Sequence, residues 1–567
     1  GKDETPGIGT MALEQLPGAI AESGSIAVDG VATATITSDA IKEAAAAALT
    51  AAGLNADDYK TAVEADTTKA EDSTIDADVA IVGAGGAGMT AAITAAAEGK
   101  SVVILESQPM VGGNSVRATG GMNAGKTVYQ DENEFGESAG VEKTLKTAAE
   151  KYADNATITA LAKTVSEQWA AYQADPKGYF DSVELMELDT MIGGKGLNNP
   201  ELVETLCSNS ADAIDWLDEH GITLHSVSSF GGASVKRIHR PVDGDGKTVS
   251  VGSYMIPLLQ ENCDKAGVQT LLNTTATEIL TDANGAAVGV KATGASGETV
   301  TVNAKAVVLA TGGFGANLDM VVEYKPELKG FMTTNAAGAQ GQGIEMATAI
   351  GADTVDMDQI QIHPTVEANT AALITEGLRG DGAVLINAEG KRFIDEVGTR
   401  DVVSAAEIAQ TGSYSWLVVD QAMVDASSVI QGYIKKGYTV TGETYEELGK
   451  AMGVDETAFA ETMNTWNGYV EAKNDPDFGR TSFANPLNTA PYYAIKVTAG
   501  VHHTMGGLKI NTNTEVLKAD GSVIPGLFAA GEVTGGVHGA NRLGGNAVAD
   551  FTVFGRIAGA AASKYAA

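Results

Sequence analysis

The sequence predicts an α/β fold in which helices flank a parallel sheet. Residues 78–106 have the pattern of a buried strand, a glycine turn, a helix and a second strand, which is one βαβ unit. Two later apolar stretches, 305–313 and 526–536, end in glycine clusters, as parallel strands do at a ligand site. The 68 glycines against 13 prolines in 567 residues indicate close backbone approaches rather than disorder. We therefore expect both later strands to join the sheet of the βαβ unit.

The turn of this βαβ unit carries the glycine pattern of a dinucleotide site. Gly83, Gly85 and Gly88 fit G-x-G-x-x-G, and Glu106 ends the following strand. The glycines let the backbone approach a pyrophosphate at the positive end of a helix, and the carboxylate accepts hydrogen bonds from ribose hydroxyls. Strand, helix and acid together predict a Rossmann-like dinucleotide-binding domain. The alternative is a glycine turn with a purely structural role.

Three further glycine-rich stretches favour FAD over NAD as the dinucleotide. They are "GGNSVRATGGMNAG" at 112–125, "ATGGFG" at 310–315 and "AAGEVTGG" at 529–536. Together they are long enough to lie along an extended flavin dinucleotide. We therefore expect an FAD-binding domain that holds its cofactor without a covalent bond.

The composition argues against several classes of partner. Lys and Arg number 37 and Asp and Glu 73, so the formal net charge is 37 − 73 = −36. Such an acidic chain repels nucleic acid and anionic lipid, and we expect neither as a partner. Two cysteines, Cys207 and Cys263, supply neither a zinc-binding set nor a haem-attachment C-x-x-C-H motif. The small and apolar run 80–97 holds four glycines and two threonines, so we interpret it as strand, turn and helix rather than a membrane span.

Changes in composition divide the chain into five segments. They are a small leading unit (1–56), a polar linker (57–75), the first part of the FAD-binding domain (76–355), an inserted α+β capping domain that closes over it (356–490) and the second part of the FAD-binding domain (491–567). The leading unit contains an alanine-rich helix. Thr37 or Ser38 can cap this helix, and Gly53 can end it.

The stretch "GVHHTMGG" contains two adjacent histidines, His502 and His503, in a chain with seven histidines. Neighbouring side chains on a strand point to opposite faces. The two imidazoles therefore cannot share a ligand unless the strand bends, and we expect them to have different roles.

Several long motifs resemble a known family. The runs "PGLFAAGEVTGGVHGANRLGGNAVAD", "GVHHTMGG", "QIHPT", "TEGLRGDGAVLIN" and "EGKRF" are similar to those of soluble fumarate reductase flavoproteins, which are related to succinate dehydrogenase and L-aspartate oxidase flavoproteins. The resemblance extends from about residue 76 to the C-terminus. It implies reduction of fumarate to succinate by hydride transfer from flavin N5 and protonation by an arginine.

A dicarboxylate needs two separated clusters of cationic or hydrogen-bonding groups. The resemblance places His363, Thr375 and Glu376 around one carboxylate. It places His502 and Arg542 around the other, and His503 beside the flavin. Further substrate positions implied by the resemblance are Gln361 and the apolar wall residues Phe230 and Leu373; further FAD positions are Asn114, Gly121, Gly312, Glu532 and Asn546.

The resemblance also assigns the proton transfer. Arg400 in "GTRD" matches the proton donor, and Glu376 and Arg379 match its relay to solvent. Arginine normally holds its proton above pH 12. A closed, dry site with a second cation nearby makes it a better acid. The alternative is that Arg400 only clamps a carboxylate.

The leading unit resembles the C-terminal half of an FMN-binding domain. In "VDGVATATITS", Thr35 occupies the place of the threonine that is esterified to FMN phosphate in D-x-x-[ST]-G-A-[TS] motifs. Ala32 and Thr33 stand where Ser or Thr and Gly are usual. The prediction is covalent FMN at Thr35, and the alternative is a remnant that carries no flavin.

The predicted activity leaves several alternatives open. The substrate is a small dicarboxylate or another unsaturated acid such as urocanate, methacrylate or a cinnamate. The reaction can also be the oxidation of succinate or aspartate, and the chain can be an electron carrier without a substrate. Electrons reach FAD through FMN or a quinol-linked, cytochrome or flavin donor. We expect an extracytoplasmic location and a removed upstream export or anchoring segment.

Overall fold

The computed structural model describes residues 9–28, 30, 35–60 and 69–567. The helices in this part of the chain are α1 (Gly9–Ser23), α2 (Thr35–Ala51), α3 (Gly86–Ala97), α4 (Ser138–Lys151), α5 (Ala156–Ala174), α6 (Val183–Gly193), α7 (Pro200–Ser208), α8 (Ser210–Glu219), α9 (Val251–Lys265), α10 (Leu318–Tyr324), α11 (Gln342–Ala349), α12 (Gly377–Gly380), α13 (Arg400–Ile408), α14 (Gln421–Ala426), α15 (Ser428–Lys435), α16 (Tyr445–Met452), α17 (Glu456–Ala472) and α18 (Asn546–Tyr565).

The strands form two large sheets and two small ones. Their bounds are β1 (Ser73–Val82), β2 (Val102–Leu105), β3 (Met122–Asn123), β4 (Ser226–Ser228), β5 (Ile238–Arg240), β6 (Gln269–Leu271), β7 (Thr275–Thr281), β8 (Ala287–Thr293), β9 (Thr299–Leu309), β10 (Met332–Thr333), β11 (Thr354–Val355), β12 (Ile360–Glu367), β13 (Val384–Ile386), β14 (Tyr414–Asp420), β15 (Thr439–Gly442), β16 (Tyr492–Thr504), β17 (Gly507–Leu508), β18 (Glu515–Leu517) and β19 (Val523–Ala529).

The first large sheet has the predicted dinucleotide-binding arrangement. Its strand order is β18-β19-β9-β1-β2-β6, and β7 and β8 extend it from β9. β1 pairs in parallel with β2 and β9, and β9 pairs in parallel with β19. The prediction that both later strands join the βαβ sheet is therefore confirmed. Val82 lies opposite Leu309, and Leu309 lies opposite Ala529, so the three strands end side by side.

α3 and α18 pack against each other and against this sheet. α3 follows the glycine turn, and nine of its twelve residues are buried. Gly555 and Gly559 of α18 pack against the backbone of α3, where an added β-carbon would come within 2.8 and 2.4 Å of carbonyl oxygens. Small residues on both helices thus permit close packing, which fixes the start of both helices beside the strand ends.

The second large sheet belongs to the inserted region and is mostly antiparallel. β16 is its central strand and pairs with β10, β12, β14 and β15. This differs from the predicted boundary at 490/491, which assigns residues 492–504 to the FAD-binding domain. An apolar strand pattern specifies burial but not the sheet, and here all four partners of β16 precede that boundary, three of them within 356–490.

The described part of the leading unit is a helix pair, α1 and α2, with a small core of Ala12, Leu16 and Val28. α2 begins at Thr35, so Thr37 and Ser38 lie inside the helix rather than at the predicted cap position. Gly53 has φ +79° just after the helix, which confirms the predicted stop.

Candidate active site

A long cavity begins at the C-terminal ends of β1, β9 and β19 and reaches residues of the second sheet. Its empty volume is about 1650 Å³, open solvent included. The predicted site residues that line it are Gly83, Gly85, Glu106, Asn114, Gly121, Phe230, Gly312, His363, Leu373, Thr375, Glu376, Arg400, His502, His503, Glu532 and Arg542. The predicted residues outside this lining are Gly88, Gln361, Arg379 and Asn546.

The glycine turn has no room for side chains. Gly83 has φ +104°, and a β-carbon on it would lie 2.3 Å from the carbonyl oxygen of Ala310. A β-carbon on Gly88 would lie 1.9 Å from the carbonyl oxygen of Gly83. Gly85 is the residue before α3 and provides no side-chain cap, and the Gly86 N–H donates to Ser115 Oγ at 3.1 Å. The start of α3 therefore presents the backbone N–H groups of its first turn to an anion, as a pyrophosphate site requires.

Glu106 stands at the end of β2 in the position of the predicted ribose acceptor. Its Oε2 accepts a hydrogen bond from the Ala84 N–H at 2.8 Å, and its Oε1 accepts one from the Gln108 N–H at 2.9 Å. Burial raises the pKa of this carboxyl, while these hydrogen bonds oppose the shift. The backbone contacts fix the carboxylate in the cavity wall, and each oxygen retains a lone pair for a ligand hydroxyl.

Three further predicted FAD residues are held by the surrounding chain. Asn114 Oδ1 accepts a hydrogen bond from the Ala336 N–H at 2.7 Å. Glu532 Oε1 accepts one from the Thr504 N–H at 3.0 Å. Asn546 lies behind the cavity wall, where its Oδ1 accepts a bond from Asn123. Together with the glycine turn and Glu106, these residues fit an FAD laid along the strand ends.

Arg400, at the start of α13, is hydrogen-bonded to Glu376. Its Nε and Nη2 lie 2.9 and 2.6 Å from Glu376 Oε2, and its Nη1 donates to Gln361 Oε1 at 3.0 Å. Gln361 in turn donates to Asn541 and to the Arg542 carbonyl. These bonds fix the guanidinium plane of Arg400 in the cavity wall.

Arg379 continues this series on the far side of Glu376. Its Nη2 lies 3.1 Å from Glu376 Oε1, and both side chains are buried. Burial by itself raises the pKa of Glu376, but Arg400 and Arg379 outweigh it and hold that pKa below its usual range. Burial lowers the pKa of Arg379, and Arg400 adds to this effect while Glu376 opposes it. The structure thus joins the three predicted relay residues through one ionised carboxylate.

His363 presents a neutral ring with one defined donor. The Thr365 backbone N–H donates to His363 Nδ1 at 3.1 Å, so Nδ1 is the acceptor and Nε2 carries the hydrogen. Burial and the cations Arg400, Arg379 and Arg542 lower the pKa of His363 well below its usual value. The ring of His502 lies 4.9 Å away between centroids. The two imidazoles thus stand side by side as neutral hydrogen-bonding groups.

A β-bulge explains how adjacent histidines line one cavity. Gln361 is paired with His503 and Ile362 with Val501, so His502 is the extra residue. A bulge re-aims side chains that a regular strand would send to opposite faces. His502 bonds Thr334 through Nδ1 at 2.7 Å, whereas His503 faces the ring of His538 at 5.5 Å. Burial lowers the pKa of both histidines.

Arg542 is a buried cation with free hydrogen-bonding capacity. Its Nη1 donates to the Leu543 carbonyl at 3.1 Å, while its Nε has no hydrogen-bond partner among the described residues. Burial, and then the charge of Arg400, lower the pKa of Arg542 to about 9. Unpaired buried donors are rare in proteins, so this group indicates an anionic ligand.

The remaining predicted residues form the wall of this part of the cavity. Phe230 is buried, and Leu373 is half-buried. Thr375 is fixed by a hydrogen bond from its N–H to Tyr433 Oη at 3.0 Å, and its Oγ1 accepts the Gly377 N–H at 3.1 Å. Sequence reasoning missed Thr334, Thr365 and Asn541. Thr365 lies within "QIHPT" and Asn541 directly precedes Arg542 in "HGANRLGG", so both could have been found, whereas Thr334 reaches His502 through the pairing of β10 with β16.

Among the residues that the structure describes, no group of three or more His, Cys, Asp or Glu side chains could hold a metal ion. A search of the same residues finds no helix whose length and apolar content would suffice to cross a membrane. The side chain of Thr35 and residues 31–34 lie outside the described part of the chain, so the predicted FMN attachment has no structural counterpart here.

The fold and the cavity define a dinucleotide-binding flavoprotein, and comparison with known proteins identifies its family. The family described as "FAD binding domain" matches residues 78–175 and 168–548. The family described as "FMN-binding domain" matches residues 1–50. Because the first match covers most of the chain, the protein belongs to the FAD binding domain family.

The relatives within this family include fumarate reductases. The chain is 41% identical over 98% of its length to NADH:fumarate oxidoreductase of Klebsiella pneumoniae (strain 342), and it spans 54% of that relative. It is 42% identical over 86% of its length to fumarate reductase (cytochrome) of Shewanella frigidimarina and spans 77% of it. The solved open conformation of a flavocytochrome c3 fumarate reductase has a TM-score of 0.65 and 38% identity, covering 87% of this chain and 79% of that one.

Relatives with other named substrates occur at slightly lower identity. Urocanate reductase of Eggerthella lenta is 36% identical over 99% of this chain and 87% of its own length. NADH:acrylate oxidoreductase of Vibrio harveyi is 37% identical over 99% of this chain and 58% of its own length. The family therefore includes reductases of several unsaturated acids.

Proposed function

We propose that the protein reduces fumarate to succinate with electrons from bound FAD. The observation that carries the proposal is the series Arg400, Glu376 and Arg379, joined by hydrogen bonds and an ion pair, in a cavity that also exposes His363, His502 and Arg542. A dicarboxylate satisfies the donors on both sides of Arg400. When bound, FAD supplies a hydride to one carbon of the double bond.

Substrate binding depends on neutral donors and one strong cation. His363 Nε2–H and the Thr375 hydroxyl bind one carboxylate. Gln361 and Glu376 support Arg400 through hydrogen bonds. His502 and Arg542 bind the other carboxylate. Because both histidines are neutral, they act as hydrogen-bonding groups, and Arg542 supplies the charge that a buried carboxylate requires.

Arg400 supplies the proton that completes the reduction. It protonates the carbon next to the one that receives the hydride, which gives succinate. Arg379 and Arg542 place further positive charge around the site, and burial lowers the pKa of both. Ionised Glu376 touches both guanidiniums, so it can take a proton from Arg379 and return it to Arg400.

A second candidate function is reduction of another unsaturated carboxylate. The names of the Eggerthella and Vibrio relatives favour it. Phe230 and Leu373 form the apolar wall, and a change of wall changes the acids that fit. Arg542 favours fumarate, because an acid with one carboxylate leaves this buried cation unpaired. A flavin carrier without a substrate requires none of these buried groups.

Electron delivery forms a further part of the proposal. FMN esterified to Thr35 passes electrons to FAD, and an external donor of the quinol-linked, cytochrome or flavin class reduces the FMN. The match of residues 1–50 to an FMN-binding domain supports this route. The extracytoplasmic location stays a prediction.

A panel of acids tests the substrate assignment. The chemically reduced holoprotein is mixed with fumarate, acrylate, urocanate and a cinnamate, and kcat/KM is measured for each. Each unpaired buried donor costs about 1–3 kcal/mol, so fumarate should exceed acrylate by about 100-fold or more. Arg542→Ala should reduce this preference to less than tenfold. Equal kcat/KM for fumarate and a cinnamate contradicts the dicarboxylate assignment and favours the second candidate.

A further inference from the structure

A buried histidine–aspartate pair borders the cavity outside the proposed proton relay. His538 Nε2 lies 2.7 Å from Asp550 Oδ2, and the two side chains are 3% and 4% exposed. Asp550 stands in the second turn of α18 and lines the cavity, as do Ala547 and Val548 from the first turn. The proposed reduction of fumarate assigns no role to either residue.

Unpaired polar atoms around this pair indicate a polar ligand. Asp550 Oδ1, His538 Nδ1 and His503 Nδ1 have no hydrogen-bond partner within the described chain. Buried polar atoms in native proteins are nearly always paired. Asp550 and His503 both line the cavity that fits FAD, so a bound flavin is the ligand that can pair with these atoms.

Several charged groups lie in this part of the cavity and can affect reduction of a bound flavin. Glu532 and Asp550 are the acids here, and burial raises the pKa of Glu532. Arg542 is the nearby cation, and His503 is held neutral by burial and by Arg542. Reduction adds negative charge to a flavin, and charges close to its ring set its redox potential. An unpaired Asp550 carboxylate would therefore oppose reduction.

We propose that the buried His538–Asp550 hydrogen bond offsets the negative charge of the Asp550 carboxylate and thereby raises the redox potential of bound FAD. The geometry supports a charge-assisted bond, because a 2.7 Å contact is short for nitrogen and oxygen. The inference depends on FAD in the cavity and not on the substrate, so it survives if fumarate is the wrong acid.

The midpoint potential of FAD in the substrate-free holoprotein tests the proposal. His538→Gln should lower the potential, because it leaves Asp550 uncompensated. The expected shift is at least tenfold in the ratio of oxidised to reduced flavin, or about 30 mV for a two-electron couple. The double variant His538→Gln/Asp550→Asn should recover most of the potential that His538→Gln loses. Asp550→Asn alone should not lower the potential, because it removes the carboxylate charge itself.

A second His–Asp pair provides a matched control. His225 Nε2 lies 2.8 Å from Asp218, but His225 is 41% exposed and does not line the cavity. His225→Gln should leave the potential unchanged. An unchanged potential in His538→Gln overturns the proposal. If His538→Gln fails to retain FAD, the double variant and Asp550→Asn are compared. Both lack the Asp550 carboxylate, so a tenfold difference between them also overturns it.

Discussion

At Arg400 the hydrogen bonds of three elements converge. The residue begins α13, contacts Glu376 just before α12, and bonds Gln361 on β12. Arg400→Ala should reduce kcat for fumarate by about 10²–10⁴-fold, because the general acid is lost. FAD should remain bound, because the variant leaves the glycine turn intact. Flavin absorbance and steady-state rates measure both effects. Arg556→Ala, which breaks an ion pair with Asp212, is the control. If Arg400→Ala turns over fumarate at nearly the rate of the parent protein, Arg400 is only a carboxylate clamp.

The charge of Arg542 predicts a pH dependence. Burial lowers its pKa to about 9, so the guanidinium is charged below this pH and loses its proton above it. The value of kcat/KM for fumarate should therefore fall as pH rises through about 9, since this ratio reports groups of the free enzyme. Arg542→Gln should have a lower kcat/KM without this fall. A flat profile to pH 10.5 in the parent would contradict the role of Arg542.

Local motifs led to four predicted residues that line the cavity. His363, Glu376 and Arg542 lie in the longer runs, and Arg400 lies in the short "GTRD". Sequence reasoning missed Thr334, which reaches His502 only because β10 pairs with β16. Pairing between distant strands depends on packing throughout the chain, and no local pattern records it.

At the scale of elements, the contact between α3 and the glycine turn is the most constrained. A β-carbon on Gly88 would overlap the Gly83 carbonyl oxygen. Gly88→Ala should destabilise the protein by about 1–3 kcal/mol and reduce FAD content, since α3 must move away from the turn. Gly468→Ala is the matched control in α17, where nothing lies within 4 Å, and it should stabilise by about 0.5–1 kcal/mol. Thermal unfolding and flavin absorbance provide the measurements. Normal FAD content in Gly88→Ala would refute the packing role.

Some elements could be predicted from the local sequence pattern, whereas the placement of others depends on tertiary contacts. The βαβ unit is contiguous, so β1, α3 and β2 could be predicted from period and glycine spacing. β16 has an equally clear pattern, yet its sheet could not be predicted. The same limit applies to the bulge at His502, because a bulge is defined by the register of its partner strand.

At the scale of the whole molecule, ion pairs connect the two domains beside the cavity. Arg240 lies 3.0 Å from Asp381, and Lys195 lies 2.6 Å from Asp401. The cation comes from the FAD-binding domain in both pairs, and the acid follows a relay residue in the capping region. These ion pairs thus join residues near Arg379 and Arg400, which belong to the proposed relay, to the FAD-binding domain.

The leading unit yields a prediction about electron supply. FMN esterified to Thr35 would add the mass of one FMN to the protein, and the bond would survive denaturation. Protein made together with a flavin transferase should show this mass, and Thr35→Ala should lack it. Thr37→Ala, two residues later in α2, is the control and should keep it. Intact-protein mass spectrometry that finds only the bare polypeptide means that Ala32 and Thr33 have disabled the motif.

A single turnover tests the central claim most directly. The holoprotein is reduced under anaerobic conditions, freed of reductant and mixed with fumarate, and flavin absorbance and succinate are followed together. The account predicts that FAD reoxidises within one turnover, with one succinate for every two electrons stored in the flavins, and that Arg400→Ala stays reduced on this timescale. Flavin that stays reduced in the presence of fumarate, or reoxidises without forming succinate, would contradict it.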